Sequence, residues 1–409
     1  MIFDRAISRM MDQAGTRVMT LDKLDGWTTG GVLDTGQTGA MKLSAVNRCV
    51  ECISDSMAKL PVFVMDGKTK EHLDHPLLQV LERRPNEAMT PSVYKKLMEA
   101  NRLLHGNAYA AILRDRASAA PVELLPLPPD CVTPKLDQSG RLWYLYTDPD
   151  TGRLHRLAQW DVLHYKAYTK DGINGVSVLS RAAEVIQTAK AAQRYEGKFY
   201  IQGAQPSGVL TVDTKLEPDA KDKVRQEWQR VHTGVDNAFR VAVLDLGLKY
   251  TPISISNRDA QFVESKAVTV EDIARFFGVP LNKLMAGKQA YNSNEQNSIE
   301  YVQSTLHPIV SQCEEEDTYK LLFDSELSRG LQVRRNMMAE LRGDNASRAA
   351  WYKAMREIGY FSVDDICDLE DTPRVPGGDT RTVSLNYVPL EDFKRLSLAR
   401  NGGREVSEE

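Results

Sequence analysis

Between residues 257 and 322 apolar positions recur twice at helical spacing, with a polar interval between them. Phe262, Ala267, Val270, Ile273, Ala274 and Phe277 form a stripe that predicts a helix over 259–277. Gly278-Val279-Pro280 ends it, because glycine suits a helix exit and proline biases Val279 out of the helical region. Residues 282–294 are polar and small, with Lys283, Lys288, Gln289, Tyr291 and Asn292. Asn294 is placed to cap a second helix, whose stripe runs through Ile299, Val302, Leu306, Ile309 and Val310 to about Leu322. The pattern is a polar loop held between two helices, and it carries no catalytic constellation.

Upstream, the periodicity alternates between helix and strand. Val46, Cys49, Ile53, Met57 and Leu60 mark a helix over 44–60, followed by a strand at 61–65 and a turn at Gly67. Thr90-Pro91 opens a helix with a hydroxyl cap and proline at the first position, and Gly106 stops it. Strands are predicted at 108–113, 122–127, 142–146 and 162–167, with a strong turn at 148–152. Ser177 caps a long helix over 177–202, whose Ala182, Ala183, Ala189 and Ala192 permit close packing. Residues 203–256 form a compact insert with a strand at 208–212, a helix opened by Glu217-Pro218, and a strand pair, 239–244 and 249–255, around Gly247. Its helix has a charged face with Lys221, Lys223, Arg225 and Arg230. An insert of this size is marginal for a core of its own. Further helices start at Asn345 and at Ser362, where Asp365 completes a capping box. Residues 1–42, with Gly26 and four more glycines between Gly30 and Gly39, read as an extended, partly disordered arm, and 379–409 as a partly disordered tail. The fold class is α+β.

Composition narrows the function. At 409 residues the chain has room for two or three domains, and its 42% hydrophobic and 26% charged residues are ordinary for a soluble protein. No apolar run approaches the ~18–20 residues of a membrane span, and Met1-Ile2-Phe3-Asp4-Arg5 shows no secretory signal. A net charge of −4 is the wrong sign for gripping nucleic acid, and a slightly acidic balance is also the commonest one among soluble proteins. Cys49 and Cys52 form a Cys-x-x-Cys without a second pair at zinc spacing, and both lie on the helix 44–60, so they read as core. His72 and His75 lack a matching partner motif and read as surface residues. Gly31 to Thr38 nearly spells a phosphate-binding loop, but Gln37 stands where lysine is needed. Gly175-Val176-Ser177 lacks the second glycine of a nucleophile elbow. No cofactor is implied. An enzymatic alternative, a metal-dependent nucleic-acid-processing activity, would use Glu264, Asp272 and Glu295 as ligands around the loop. A third reading is an unrelated multidomain scaffold.

Six short motifs in one colinear order resemble the tailed-bacteriophage portal proteins, the head–tail connectors of long-tailed phages. They include His75-Pro-Leu-Leu78 with Arg84-Pro-Asn86, Leu103-Leu-His-Gly-Asn-Ala-Tyr109, Glu123-Leu-Leu-Pro-Leu-Pro-Pro129 with Val162-Leu-His-Tyr-Lys166, and Gly175-Val-Ser-Val-Leu179. The run continues with Asp259-Ala-Gln-Phe-Val-Glu264 and Ile273-Ala-Arg-Phe-Phe-Gly-Val-Pro280, then Tyr291-Asn-Ser-Asn-Glu-Gln296. The likeness covers about residues 43–378. It implies a wing at 43–176, stem helices at 177–202 and 257–278, and a clip at 203–256. A tunnel loop with a long wing helix at 279–335 and a crown at 336–378 complete the division. It also implies a non-enzymatic ring, of twelve copies by family, at one capsid vertex, which carries double-stranded DNA during packaging and ejection. The implied partners are DNA, the terminase large subunit, the major capsid and scaffold proteins, and the head–tail adaptors. The implied location is the virion, after assembly in the host cytoplasm. On this resemblance Lys283, Lys288, Gln289, Tyr291 and Asn292 face the DNA, Gly278 and Pro280 form a hinge, and Lys221, Lys223, Arg225 and Arg230 lie on the clip's docking surface.

Overall fold

The computed structural model describes residues 37–149, 151–201, 208–211, 220–224, 226, 249–252, 258–285, 294–340, 345–370 and 372–382. They divide into two compact units: Met1–Gln289 with Gln303–Asn336, and Ala290–Val302 with Met337–Glu409.

In the first unit, α1 (Gln37–Met41) and α2 (Ser44–Lys59) lead into β1 (Val62–Asp66) and β2 (His72–Leu73). The expected arm therefore ends in a helical turn at 37–41, and residues 1–36 lie outside the described residues. α2 buries Val46, Cys49, Ile53 and Met57 as its stripe requires, and burial pushes the Cys49 thiol up to about 12. α3 (Pro91–His105) begins with proline, but the Thr90 side chain makes no capping hydrogen bond. Gly106, at φ +84°, ends it.

Two three-stranded antiparallel sheets follow. One has the order β4 (Pro121–Leu127), β3 (Asn107–Arg114), β8 (Val162–Lys166), and the other the order β5 (Val132–Leu136), β6 (Leu142–Thr147), β7 (Leu154–Ala158). They share a core of Tyr109, Ala111, Leu127, Val132, Tyr144, Tyr146, Leu157 and Val162. The sequence reading missed β5 and β7. Pro134 interrupts the first, and the second, Leu154-His-Arg-Leu-Ala158, is exposed on alternate residues and has only one buried side chain.

The short pair β9 (Tyr168–Thr169) and β10 (Gly175–Val176) leads to α4 (Val178–Arg181), capped by the Ser177 hydroxyl, which accepts from Ser180 N at 2.9 Å. α5 (Ala183–Ile201) continues after a break at Ala182, where one uninterrupted helix was expected. In the insert, β11 (Gly208–Thr211) pairs antiparallel with β12 (Lys249–Pro252), so its first and last strands close on each other. The expected strand 239–244 lies outside the described residues. α6 (Arg258–Phe277) packs beside α5 and α2, burying Ile273, Ala274 and Phe277.

Three of the sequence motifs converge on one node. Asn107 bonds both backbone groups of Gly175, accepting from its N at 2.8 Å and donating to its O at 3.0 Å. A Cβ built on Gly175 would lie 1.9 Å from Gly106 O, so the two glycines let the strands and the helix entry touch. Asn107 Oδ1 also meets His164 Nε2 at 2.9 Å, while Tyr144 Oη lies 3.1 Å from His164 Nδ1. Since Oδ1 is an acceptor, His164 carries its proton on Nε2, and Nδ1 accepts from the tyrosine.

The helix after the loop runs from Asn294 to Leu321 as expected, but one turn within it is a π-turn. α7 (Asn294–Tyr301), in the second unit, starts at the residue expected to cap it. The wide π-turn, Val302–Leu306, precedes α8 (His307–Leu321), which belongs to the first unit. Pro308 has no N–H to give the Ser304 carbonyl, and the wider turn falls at that missing bond. α9 (Asp324–Arg329) and β13 (Leu331–Arg335) complete the unit, with β13 pairing onto β1 in the order β13-β1-β2. Of the two histidines expected at the surface, His72 is exposed and His75 is half-buried. His72 stacks on Phe63, and His75 is tied to Glu326 Oε1 at 2.9 Å. In the second unit, α10 (Asn345–Glu357) is followed by α11 (Val363–Leu369). The capping box forms as expected: Ser362 Oγ accepts from Asp365 N at 3.1 Å and Asp365 Oδ2 from Ser362 N at 2.8 Å.

Side chains of α8 close the outer edges of two sheets. Thr318 Oγ1 accepts from Val333 N at 3.0 Å and Glu314 Oε1 from Arg335 N at 2.6 Å, both on the edge strand β13. On the edge strand β8, Glu316 Oε1 accepts from His164 N at 3.0 Å and Lys320 Nζ donates to Val162 O at 2.5 Å. Between them the fully buried Asp317 takes Arg335 Nη2 at 2.6 Å and the Tyr165 hydroxyl. Burial raises the Asp317 carboxyl against the pull of Arg335.

Two outcomes follow from these groups. Asp317→Ala leaves Arg335 charged and buried, and is expected to cost about 3–5 kcal/mol in urea unfolding. His164 is held neutral mainly by burial, with Lys166 and Lys320 adding to it, so its pKa lies well below 6.5. The unfolded chain takes up a proton below about pH 6.5 that the folded chain refuses. Folding stability therefore falls as pH drops through that value, by up to about 1.4 kcal/mol per pH unit from this group. Unfolding curves of His164→Gln from pH 7 to 5 should show a shallower pH slope than the native chain.

Candidate channel loop and its anchors

The polar loop leaves α6 through a built break. Gly278 sits at φ +70°, and its N bonds Arg275 O at 3.2 Å while Val279 N bonds Ala274 O at 3.0 Å, which satisfies the last helical carbonyls. Val279 is buried and Pro280 turns the chain into a tight 3₁₀ turn, Leu281–Leu284. Lys283 N bonds Pro280 O at 3.0 Å, and Met285, left-handed at φ +56°, ends the turn with its side chain 79% exposed. Lys283 thus stands on the last described turn before the loop. Lys288, Gln289, Tyr291 and Asn292 lie outside the described residues.

Two residues that the sequence reading did not single out hold this break. Arg48 of α2 donates from Nε to Lys283 O at 3.2 Å. Thr305, buried in the π-turn, donates its hydroxyl to Gly278 O. The start of the loop is thereby bonded to the helix that leads away from it. A threonine inside the apolar stripe between Val302 and Leu306 was the available signal, since a buried hydroxyl needs a partner.

In the insert, Lys221 and Lys223 are exposed on one helical turn beside the equally exposed Asp222, and Arg225 and Arg230 lie outside the described residues. Of the carboxylates considered as metal ligands, Asp272 is bonded within α6 to Arg275 Nη1 at 2.6 Å. The side chains of Glu264 and Glu295 lie outside the described residues. Among the described residues no group of three His, Cys, Asp or Glu side chains is arranged to hold a metal ion. Among the described residues no helix is long and apolar enough to cross a membrane.

The break has a measurable signature. A Cβ on Gly278 meets only ordinary contacts with Thr305, at 3.7 and 3.8 Å, so Gly278→Ala should cost about 1–2 kcal/mol through its positive φ alone. Thr305→Val should cost about 1 kcal/mol by orphaning the Gly278 carbonyl. Urea unfolding of both variants, with limited proteolysis across 286–293, checks the pair. Faster cleavage in Thr305→Val is expected.

Comparison with known proteins agrees with this architecture. The profile of the phage portal protein family matches residues 44–371. The sequence is 30% identical to the portal protein of Enterobacteria phage HK97 over 373 residues, 89% of this chain and 86% of that protein. It is 28% identical to the probable portal protein of Streptomyces phage phiC31 over 402 residues, 92% of this chain and 86% of that protein. Its fold is similar to the crystal structure of an HK97 family phage portal protein from Corynebacterium diphtheriae, with a TM-score of 0.59 at 18% identity, covering 77% of this chain and 99% of that one. It is also similar to a chain in the neck of a native gene transfer agent particle computed with C12 symmetry, with a TM-score of 0.56 at 23% identity, covering 84% and 93%. From the start of α2 to the end of α11, this chain belongs to the phage portal protein family.

Proposed function

We propose that copies of this chain close into a ring of twelve at one capsid vertex, and that double-stranded DNA passes along its axis during packaging and ejection. The observation that carries this reading is the family match over residues 44–371, which spans nearly every described element in one order. The twelve-fold symmetry imposed on the similar gene transfer agent neck supports the number. A closed ring of identical copies uses heterologous contacts whose rotation returns to the start.

In this reading residues 43–176 are the wing, and α5 and α6 the stem. The insert 203–256 is the clip, which docks the terminase large subunit and afterwards the head–tail adaptors through Lys221, Lys223, Arg225 and Arg230. The second unit contributes the crown. Lys283 and Lys288 meet phosphates transiently, and Gln289, Tyr291 and Asn292 make sequence-blind polar contacts. Two lysines per copy on a chain of net charge −4 suit touch without capture, because each phosphate contact adds affinity through counterion release. Gly278 and Pro280 let the loop follow the DNA, restrained by Thr305 and Arg48. The chain is structural; ATP hydrolysis belongs to the terminase, and assembly takes place in the host cytoplasm with the capsid and scaffold proteins.

Light scattering with negative-stain images of the purified protein tests the ring. The expected result is a particle near twelve subunits with a central hole. A ring should also form from Lys283→Ala/Lys288→Ala, while DNA retention in packaged heads drops. Retention equal to the native level would remove the loop from the DNA path. Incubation with DNA or ATP and divalent metal should give no turnover, and metal-dependent cleavage would instead favour the enzymatic alternative.

A further inference from the structure

Tyr94 on α3 and Arg335 on β13 line one small cavity in the first unit, together with Met57, Met98, Glu99 and Cys313. Arg335 spends Nη2 on Asp317, but its Nη1 is buried with no hydrogen-bond partner, and so is the Tyr94 hydroxyl. Tyr94 is 4% exposed and Arg335 9%. A buried donor left unmade is costly, and two that open into the same space point to a shared occupant. Arg335 Nη1 can only donate, so the occupant must accept a hydrogen bond, whereas the Tyr94 hydroxyl can donate or accept.

Charge and size decide what it is. The charges around the cavity cancel in pairs: Arg335 with Asp317 at 2.6 Å, Arg102 with Glu99 at 2.6 Å, and Lys95 with Glu82 at 2.5 Å. No net positive charge is left to hold an anion. The space open to the centre of a water-sized sphere is ≈ 20 Å³, enough for one water and too little for a larger ligand. Glu99 also lines the cavity, and its carboxylate retains lone pairs beyond its two bonds to Arg102 with which to accept in return.

We propose that one structural water occupies this cavity, accepting from Tyr94 Oη and Arg335 Nη1 and donating to Glu99, and so bonds α3 to the β13 edge. It supplies a link that the direct hydrogen bonds of α3 do not make, since the Asp317–Arg335 pair reaches Tyr165 on β8 but not Tyr94.

A high-resolution map of the full-length protein tests it. The expected result is a single peak about 2.7–3.2 Å from both Tyr94 Oη and Arg335 Nη1. An empty cavity overturns the proposal. So does an anomalous peak there in crystals grown with bromide, which would identify an anion. Tyr94→Phe gives a second, opposite-signed readout. If the water is present, the variant takes away one of its partners, and the unfolding constant should rise roughly tenfold. If the cavity is dry, the variant removes an orphaned hydroxyl and should unfold no more readily than the native chain, which also overturns the proposal. The tyrosine ring is kept, so the fold itself is not at risk in the comparison.

Discussion

The first unit depends on α8 acting in place of a strand for two sheets at once. β13 and β8 are both edge strands, and an edge left open is a row of unpaired backbone groups. α8 satisfies them with side chains spaced four residues apart. Glu314 and Thr318 reach β13, Glu316 and Lys320 reach β8, and Asp317 lies between and takes Arg335 and Tyr165. Helical geometry brings residues four apart onto one face, so two such rows and the residue between them cover two adjacent walls. Arg114 closes the arrangement from β3 by donating to the Lys320 carbonyl at 2.7 Å near the helix end.

This use of charge explains what the sequence hid. Glu314-Glu315-Glu316-Asp317-Thr318-Tyr319-Lys320 has the composition of a solvated helix face, yet Glu314, Asp317 and Lys320 are buried. Periodicity reports where apolar residues lie, and it has no signal for a carboxylate buried because a strand edge needs an acceptor. β13 was lost for a related reason. Leu331-Gln-Val-Arg-Arg335 alternates as a strand should, but five residues pair with β1, some 270 residues earlier in the chain, and a single segment does not reveal a partner at that distance.

Other parts were legible because the cause is local. Gly106 and Gly278 end helices at positive φ, Ser177 and Ser362 cap helices with their own hydroxyls, and the α2 stripe is buried position by position. The candidate site was legible in the same measure. The break at Gly278-Val279-Pro280 is a local signal, whereas Arg48 and Thr305 act on it across 235 and 27 residues. The α4–α5 interruption and the π-turn before α8 fall between: Pro308 announced the second, and nothing in the run Ser180-Arg-Ala-Ala183 announced the first.

Polar anchoring also has a mechanical meaning for the segment that leaves α6. Buried ion pairs are weak sources of stability, since their desolvation offsets much of the attraction. Their geometry is demanding, however, and an apolar interface of the same size would tolerate sliding. A shift of α8 by one residue along its axis would separate Glu314 and Thr318 from Arg335 N and Val333 N, and Glu316 and Lys320 from the β8 backbone, in a single step. The register of α8 is therefore fixed by several bonds that fail together. Thr305 stands two residues before this helix and holds the carbonyl of Gly278. The position from which the loop departs is thus tied, through α8, to the two sheets whose edges that helix closes. On the proposed function, a loop that touches passing DNA would need such a base, an element whose place along the sheet edges is specified by charge.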